Sequence, residues 1–436
     1  MMYFGTDGIR GISNREITPQ LAHAVGNALT QCIERCRVVV GRDTRRSGSM
    51  LAHALAAGVM QGGGEVLDVD ILPTPGIAYL SKLYQADFGI VISASHNPPE
   101  YNGIKVFDAR GYKLDEAHEA RIEAAMANIH SVSADGVGTY EFVHNAADSY
   151  IAHLVGCGVS LKGKRILLDC ANGAAWDAAP RAFRLLGAQV DALHVGHGGS
   201  DINDRCGALW AQLLSERMRA GEYDMGFAFD GDSDRLIALD EKGNVVDGDQ
   251  ILYILSMFAK SQGKAPDTVV GTFHTNMGIE RALADAGIRL LRADIGDKYV
   301  LQSMLRCGAK LGAEQSGHII LSDYATTGDG ILSAIVLSAV VSRAERPLSQ
   351  CNDVELYPQC NRSIPVGDKL RIINNSDLAE QVERVRRQLG DRGRVLLRAS
   401  GTEPKVRVTV ECDDRDIAEK LTHEIADFIL KLNFQA

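Results

Sequence analysis

Phe88-Gly89-Ile90-Val91-Ile92-Ser93-Ala94-Ser95-His96-Asn97-Pro98-Pro99-Glu100-Tyr101-Asn102-Gly103-Ile104-Lys105 is the stretch from which the fold is read. Its first five residues form an uninterrupted apolar run, as expected of a parallel strand buried on both faces. Pro98 and Pro99 have no N–H to donate, so strand pairing must stop there. Asn102-Gly103 reads as a turn pair, because both residues tolerate positive φ. The stretch therefore predicts a rigid loop at the C-terminal end of a strand, where open α/β sheets bind ligands. That loop carries Ser95, His96 and, further along, Lys105.

Outward from this loop the chain alternates. Arg37–Gly41 reads as a strand, 47–60 as a helix, 65–71 as a strand, 76–84 as a helix, and 114–129 as a closing helix. A second unit holds strands at 165–169, 189–193 and 225–229, with helices over 174–186 and 209–218. A third holds a helix through Phe258, strands at 268–273 and 290–293, helices from Met277 and over 299–305, and a long apolar helix over 328–341. Such alternation predicts βαβ units in mostly parallel or mixed sheets, here as a triplicated α/β module. The last segment differs: strands at 394–398 and 406–411, then a helix over 417–432, predict an α+β domain with an antiparallel sheet. The expected domains are 1–150, 151–249, 250–365 and 366–436, with a linker zone over 362–375.

The chain has 436 residues, is 45% hydrophobic and carries a formal net charge of −10. A core is affordable at this length, and the charge argues against a nucleic-acid partner. The nine cysteines form no CxxC pair, so neither a zinc knuckle nor a redox pair is expected. Scattered buried thiols, no basic-then-apolar leader and no apolar run near ~18 residues predict a cytoplasmic protein without a membrane partner.

Asp230-Gly231-Asp232-Ser233-Asp234-Arg235 places carboxylates at alternating positions. In an extended segment they share one face, and mutual repulsion calls for a hard cation between them. Asp230, Asp232, Asp234 and Glu241 also match acidic positions of a calcium loop, but Arg235 stands where that loop needs glycine, and the flanks read as strands. Mg²⁺ fits better, since it binds through few carboxylates plus phosphate oxygens, and a phosphorylated Ser95 would complete its shell. Gly312-Ala313-Glu314-Gln315-Ser316-Gly317-His318 offers hydrogen bonds to vicinal hydroxyls or an amine. Arg398-Ala399-Ser400-Gly401-Thr402-Glu403-Pro404-Lys405-Val406-Arg407 is a small cationic nest suited to a phosphate dianion. Phe4 to Gly11 is a further glycine-rich loop, with Arg10.

Taken in order, Gly5-Thr6-Asp7-Gly8-Ile9-Arg10-Gly11, Ser95-His96-Asn97-Pro98, Asp230–Arg235, Glu314-Gln315-Ser316-Gly317-His318 and Arg398–Pro404 resemble the motifs of the α-D-phosphohexomutase superfamily. Thr326-Thr327-Gly328-Asp329-Gly330 and the residues around Ser95 and Glu314 resemble its bacterial phosphoglucosamine mutases. The resemblance implies four domains around a central cleft. It implies Ser95 as a phosphoserine that also joins Asp230, Asp232 and Asp234 in holding one Mg²⁺. Ser95 would be primed by a hexosamine or hexose 1,6-bisphosphate. Lys105, Arg10 and Arg235 would assist transfer, with His96 or Lys105 as acid/base. Glu314, Ser316 and His318 would contact the sugar, and Arg398, Ser400, Gly401, Thr402 and Arg407 the other phosphate. The implied reaction converts glucosamine 6-phosphate to glucosamine 1-phosphate through a bisphosphorylated intermediate. The alternative is the same chemistry on another hexose phosphate, as in phosphomannomutases and phosphoglucomutases. The superfamily also implies a homodimer. Ser233 and Ala313 stand where glycine is usual, and Asp297-Lys298 replaces a usual Asp-Arg.

Overall fold

The computed structural model describes residues 3–5, 7–400 and 404–434, without the side chain of residue 434. Contacts divide the chain into two units, residues 1–274 with 287–353, and residues 275–286 with 354–436.

The first unit contains three sheets. The first is built from β1 (Ile9–Ile12), β2 (Arg37–Arg42), β3 (Glu65–Ile71), β4 (Phe88–Ile92), β5 (Tyr101–Asp108) and β6 (Tyr140–Phe142), in the order β1-β5-β4-β2-β3-β6. The second comprises β7 (Arg165–Asp169), β8 (Gln189–Leu193), β9 (Met225–Phe229), β10 (Leu236–Leu239) and β11 (Val245–Val246), ordered β11-β10-β9-β7-β8. The third comprises β12 (Thr268–Thr272), β13 (Arg289–Ala293), β14 (Leu311–Ala313) and β15 (Ile319–Leu321), ordered β13-β12-β14-β15.

One core recurs in all three: β3-β2-β4-β5, β8-β7-β9-β10 and β13-β12-β14-β15. The first three strands of each core are mutually parallel, and the fourth returns antiparallel to the third. The expected triplication is therefore a repeat of topology. Each of three sequence motifs is the connection between the third and fourth strand of its copy: Ser95 between β4 and β5, the aspartates between β9 and β10, Glu314 to His318 between β14 and β15.

The stretch around Ser95 needs one correction. Asn102-Gly103 is not a turn but lies inside β5, where Arg10 pairs with Gly103 and Ile92 with Ile104. A Cβ on Gly103 would stand 2.6 Å from the Ile9 carbonyl oxygen and 2.7 Å from that of Ser93. Close backbone approach on two sides, and not positive φ, selects glycine there. Lys105 thus projects from a strand. The loop proper is Ser93–Glu100, closed by turns from Asn97 N–H to the Ala94 oxygen and Tyr101 N–H to the Pro98 oxygen.

The apolar faces of the first sheet and of helices Pro19–Cys32 and Gly48–Gln61 form one buried core, including Val25, Leu29, Val38, Leu55, Ile90 and Ile104. Asp329 caps helix Gly330–Ala344 by accepting from Leu332 N–H at 2.9 Å, and its other oxygen accepts from the Tyr150 hydroxyl at 2.8 Å. Burial raises its carboxyl pKa to about 6, although both donors pull it down. An unfolded aspartate titrates near about 3.9. The folded state therefore holds the proton more tightly, so this residue costs stability as pH rises from about 4 to about 6, on the order of 3 kcal/mol in total. Asp329→Asn keeps the acceptor for Leu332 N–H in its amide oxygen and places an N–H2 donor against the Tyr150 hydroxyl, whose oxygen can accept it. Urea unfolding is expected to show the variant losing that slope relative to the parent, and matching or exceeding the parent's stability at pH 7.5. An unchanged pH slope would refute the assignment.

The second unit has the antiparallel sheet β16 (Gln359–Pro365), β17 (Gly393–Ala399) and β18 (Lys405–Cys412), ordered β16-β18-β17. Helices Lys369–Ile373, Ser376–Leu389 and Arg415–Phe434 accompany it. β16 pairs with β18 along its whole length. The zone over 362–375 is thus structured and not a linker, and a strand lying before residue 366 belongs to the C-terminal sheet. Its own core gathers Val382, Val385, Val395, Val406, Val408, Leu421 and Ile425.

Candidate active site

Ser95 sits at the end of β4 with φ +52°, in the left-handed region, and is buried. The strain of that conformation, of order 1–3 kcal/mol, persists only where surroundings impose it. Arg45 imposes it. Its guanidinium is fully buried and donates to the carbonyl oxygens of Ser95 and Asn97, both at 2.8 Å, of Tyr101 at 3.0 Å, and of Pro98. Its Nε donates to Asp43 at 2.9 Å. Asp43 also accepts from the Arg45 backbone N–H at 2.9 Å and from the Ser93 hydroxyl at 2.6 Å, and Ser93 Oγ in turn accepts from Ser95 N–H at 2.9 Å. Asn203 Nδ2 reaches the Ser95 oxygen from the second sheet's domain at 2.9 Å. Asp43, Arg45 and Asn203 escape motif reading, yet Asp43-Thr44-Arg45 follows β2 at its C-terminal end, where ligand-side residues of open sheets lie.

The Ser95 hydroxyl donates to Asp230 Oδ2 at 2.6 Å and lies 3.3 Å from His96 Nδ1. Asp230, Asp232 and Asp234 converge, with ligand oxygens within 4.8 Å of one another. They do so by a tight β9–β10 connection and not along an extended strand. Ser233 N–H closes a turn onto the Asp230 oxygen at 3.0 Å, and Ser233 has φ +61°. The left-handed backbone at Ser233 is a conformation that favours glycine.

Burial, then repulsion from Asp234 and Asp232, pushes Asp230 up to about 8. Asp234, despite its burial, is held well below the ordinary range by Lys105, His318 and Arg235. Lys105 Nζ lies 2.8 Å from Asp232, 3.2 Å from Asp234 and 3.3 Å from Asp7. Burial opposes its charge, but these carboxylates hold its pKa well above that of free lysine. Lys105 is therefore held as a cation among three carboxylates. His96 is pushed down to about 4 by burial and by Arg235 and Arg10, so it is neutral near pH 7.

Among the described residues, Asp232 Oδ1 and Asp234 Oδ1 are buried with no hydrogen-bond donor, and Arg10 Nε and Arg235 Nε are buried with no acceptor. Unsatisfied buried polar atoms are costly and rare. Carboxylate oxygens without a hydrogen bond beside cationic N–H groups without one, Asp234 Oδ1 and Arg235 Nε standing 3.8 Å apart, suit a hard divalent cation together with an anionic oxygen ligand.

Glu314 and His318 are buried, and Ser316 is exposed. Glu314 accepts from Gly296 N–H at 3.0 Å, and burial raises its pKa. A side chain at Gly317, φ +92°, would stand 2.1 Å from the Leu236 oxygen, so this turn is fixed against β10. His318 Nδ1 lies 3.7 Å from Asp234. Its Nε2 accepts from Gly328 N–H at 3.1 Å, which assigns a contact to the Thr327-Gly328 segment. In the usual Asp-Arg position, Asp297 ion-pairs with Lys113 and Lys298 with Glu119, the latter at 3.4 Å.

In the second unit, Arg398 and Arg407 are directly opposed across β17 and β18. Burial and the Arg407 charge both lower the pKa of Arg398. Ser400 N–H closes onto the Lys405 oxygen at 2.9 Å, and Lys369 Nζ donates to the Ser400 oxygen at 2.6 Å. Gly401 and Thr402 lie outside the described residues. No helix among the described residues is long and apolar enough to cross a membrane.

Residues 1–133, 148–243 and 247–357 match the alpha/beta/alpha domains I, II and III of Phosphoglucomutase/phosphomannomutase, and residues 363–428 match its C-terminal domain. The chain is 46% identical over 429 residues to a phosphoglucosamine mutase of Moorella thermoacetica, covering 96% of this chain and 97% of that protein. It is 44% identical over 438 residues to one of Symbiobacterium thermophilum, covering 98% of each. A crystal structure of a phosphoglucomutase/phosphomannomutase family protein from Burkholderia thailandensis superposes with a TM-score of 0.83 at 24% identity, over 99% of this chain and 97% of that one. The N-acetylphosphoglucosamine mutase of Aspergillus fumigatus, solved with GlcNAc-6P and magnesium, shares the fold with a TM-score of 0.72 at 17% identity, over 99% and 96%. Four domain matches in order, and kinship of this strength along the whole length, make the chain an isomerase, and it belongs to the phosphoglucomutase/phosphomannomutase family in its phosphoglucosamine mutase branch.

Proposed function

We propose that this chain interconverts glucosamine 6-phosphate and glucosamine 1-phosphate, with Ser95 carrying the phosphoryl group between the two sugar oxygens. The observation that carries the reading is the immobilised Ser95 hydroxyl, 2.6 Å from Asp230 and pointed into a cluster of three carboxylates. Asp230, Asp232, Asp234 and an oxygen on Ser95 would hold Mg²⁺. When bound, it supplies positive charge to the oxygens of the transferring group.

The chain's own residues supply the rest. Phospho-Ser95, first formed from a hexosamine or hexose 1,6-bisphosphate, loses its phosphoryl group to the 1-hydroxyl of the sugar. The Ser95 Oγ–P bond breaks and the P–O1 bond forms. The hydroxyl proton leaves to a neutral base, for which His96 is poised, and Ser95 Oγ regains a proton. The bisphosphorylated sugar turns over, and the same exchange run backwards at its 6-oxygen restores phospho-Ser95 and releases glucosamine 1-phosphate. Arg10 and Arg235 direct N–H donors at the phosphoryl oxygens, a stabilisation that needs no reorganisation. Glu314, Ser316 and His318 bind the sugar. The paired guanidinium groups of Arg398 and Arg407, with Ser400, Gly401 and Thr402, take the phosphate that is not being transferred. A cytoplasmic location belongs to the reading on the pattern of the cysteines, and a homodimer on family resemblance.

A coupled assay with glucosamine, glucose and mannose 6-phosphates tests the sugar. Glucosamine 6-phosphate is expected to give the highest kcat/KM, by about tenfold or more, as a charged group read by a built site allows. If it is the poorest of the three, the sugar assignment is wrong.

A further inference from the structure

We infer that Lys113 is a positioning residue for the phosphoryl transfer, acting on Lys105 and His318 through the carboxylates of Asp7 and Asp297. This rests on the reading of Ser95 and the three aspartates as the transfer site.

Six side chains form a closed ring in which the carboxylates of Asp7, Asp234 and Asp297 alternate with Lys105, His318 and Lys113. Lys105 lies 3.3 Å from Asp7 and 3.2 Å from Asp234. Asp234 faces His318 Nδ1 at 3.7 Å, and His318 Nε2 faces Asp297 at 3.7 Å. Lys113 closes the ring by pairing with both Asp297 and Asp7. The members come from all three α/β domains of the first unit: Asp7, Lys105 and Lys113 from the first, Asp234 from the second, Asp297 and His318 from the third. Two of them, Lys105 and His318, touch the carboxylate cluster directly. Lys113 does not.

The backbone under Lys113 is fixed. Tyr112 folds back onto β5 with Asp108 N–H donating to its oxygen at 2.7 Å, and Gly111 N–H closes onto the Asp108 oxygen at 2.8 Å. Lys113 retains only 12% side-chain exposure. Asp297 opens helix Asp297–Cys307, where a carboxylate suits the helix dipole unaided. That would explain Asp297 alone, but not a buried lysine spanning two domains to reach it. A cavity of about 390 Å³ lined by Lys113, Asp297, Lys298, His318 and Thr327 opens beside this edge of the ring.

Without Lys113, Asp7 and Asp297 keep their charges and lose their shared counter-ion. Asp7 is then left to Lys105 and Arg10, and Asp297 to His318, whose Nε2 can donate to it only by giving up the Gly328 N–H. All three would be drawn out of their places beside the aspartate cluster. A displacement of about 1 Å at a catalytic site can cost about 100-fold in rate.

The test is steady-state kinetics of the Mg²⁺-saturated, phosphorylated full chain, with glucosamine and glucose 6-phosphates assayed separately. Lys113→Met is expected to lower kcat by about 10- to 100-fold, with KM changed by less than about threefold, on whichever sugar the parent prefers. Lys113→Arg should restore most of the loss. Lys113→Met with Asp297→Asn should be no worse than Lys113→Met, since the stranded charge is removed. A thermal midpoint lowered in Lys113→Met with kcat within twofold of the parent would make Lys113 a structural tie and overturn the inference. So would a rise in KM at constant kcat, or multiplicative effects in the double variant. If Lys113→Met fails to fold, Lys113→Arg alone against Asp297→Asn decides: arginine must retain kcat where asparagine loses it. A parent that prefers glucose 6-phosphate would refute the sugar assignment and leave this test standing.

Discussion

Ser95→Ala is expected to fold as the parent does and to lose mutase turnover by about four orders of magnitude or more. The hydroxyl is the only atom removed. Its contacts are Asp230 at 2.6 Å and His96 at 3.3 Å, and neither holds the loop in place. The loop is held through backbone: the Ser95 oxygen by Arg45 and Asn203, its N–H by Ser93. Alanine keeps all of these. A covalent relay has no second route once its nucleophile is gone, so the loss is set by chemistry and not by binding. Substrate affinity, measured by calorimetry, should change little. Undiminished turnover would end the phosphoserine reading.

Arg45→Met should be the most damaging single change to stability in the first domain. The guanidinium neutralises the buried Asp43, whose pKa is raised by burial and lowered again by Arg45. It also satisfies four carbonyl oxygens of the catalytic loop. Removing one partner of a buried ion pair costs about 3–5 kcal/mol, because the other charge stays buried and alone. The unsatisfied carbonyls add to this. Thermal unfolding should show a midpoint lowered by on the order of 10 °C. Any protein that does fold should have lost the left-handed backbone at Ser95, and turnover with it. Arg45→Lys restores the charge but offers three donors from one point in place of a planar fork, so it should recover part of the stability and little of the activity. A stable, active Arg45→Met would show that the loop is held by something else.

Both expectations depend on residues that differ in how openly the sequence displayed them. Ser95 and the three aspartates stand in compact motifs, each next to an apolar strand whose end marks the ligand side of a sheet. Arg45, Lys113 and Asn203 do not. The loop carbonyls that Arg45 and Asn203 hold, and the carboxylates that Lys113 pairs with, lie from about fifty residues to more than a hundred away, and no local pattern announces such tertiary contacts. The strand–helix alternation was legible because buried parallel strands are continuous apolar runs. The returning strands were not. Near its start β5 contains Asn102-Gly103, which local preference reads as a turn, and tertiary packing overrides it. β14 and β15 have three residues each. With them went the rule that relates the domains, that three of the motifs occupy the same connection in three copies of one sheet.

The relay itself is tested most directly by following the phosphoryl group. The enzyme is incubated with a hexose 1,6-bisphosphate carrying a labelled phosphorus, freed of sugar, digested, and its peptides analysed by mass. A second portion is chased with unlabelled glucosamine 6-phosphate. The account predicts one phosphoryl group per chain, on the peptide containing Ser95, and its transfer to sugar during the chase at the rate of turnover. Label found on sugar without ever residing on Ser95, or retained on Ser95 while turnover proceeds, would contradict it.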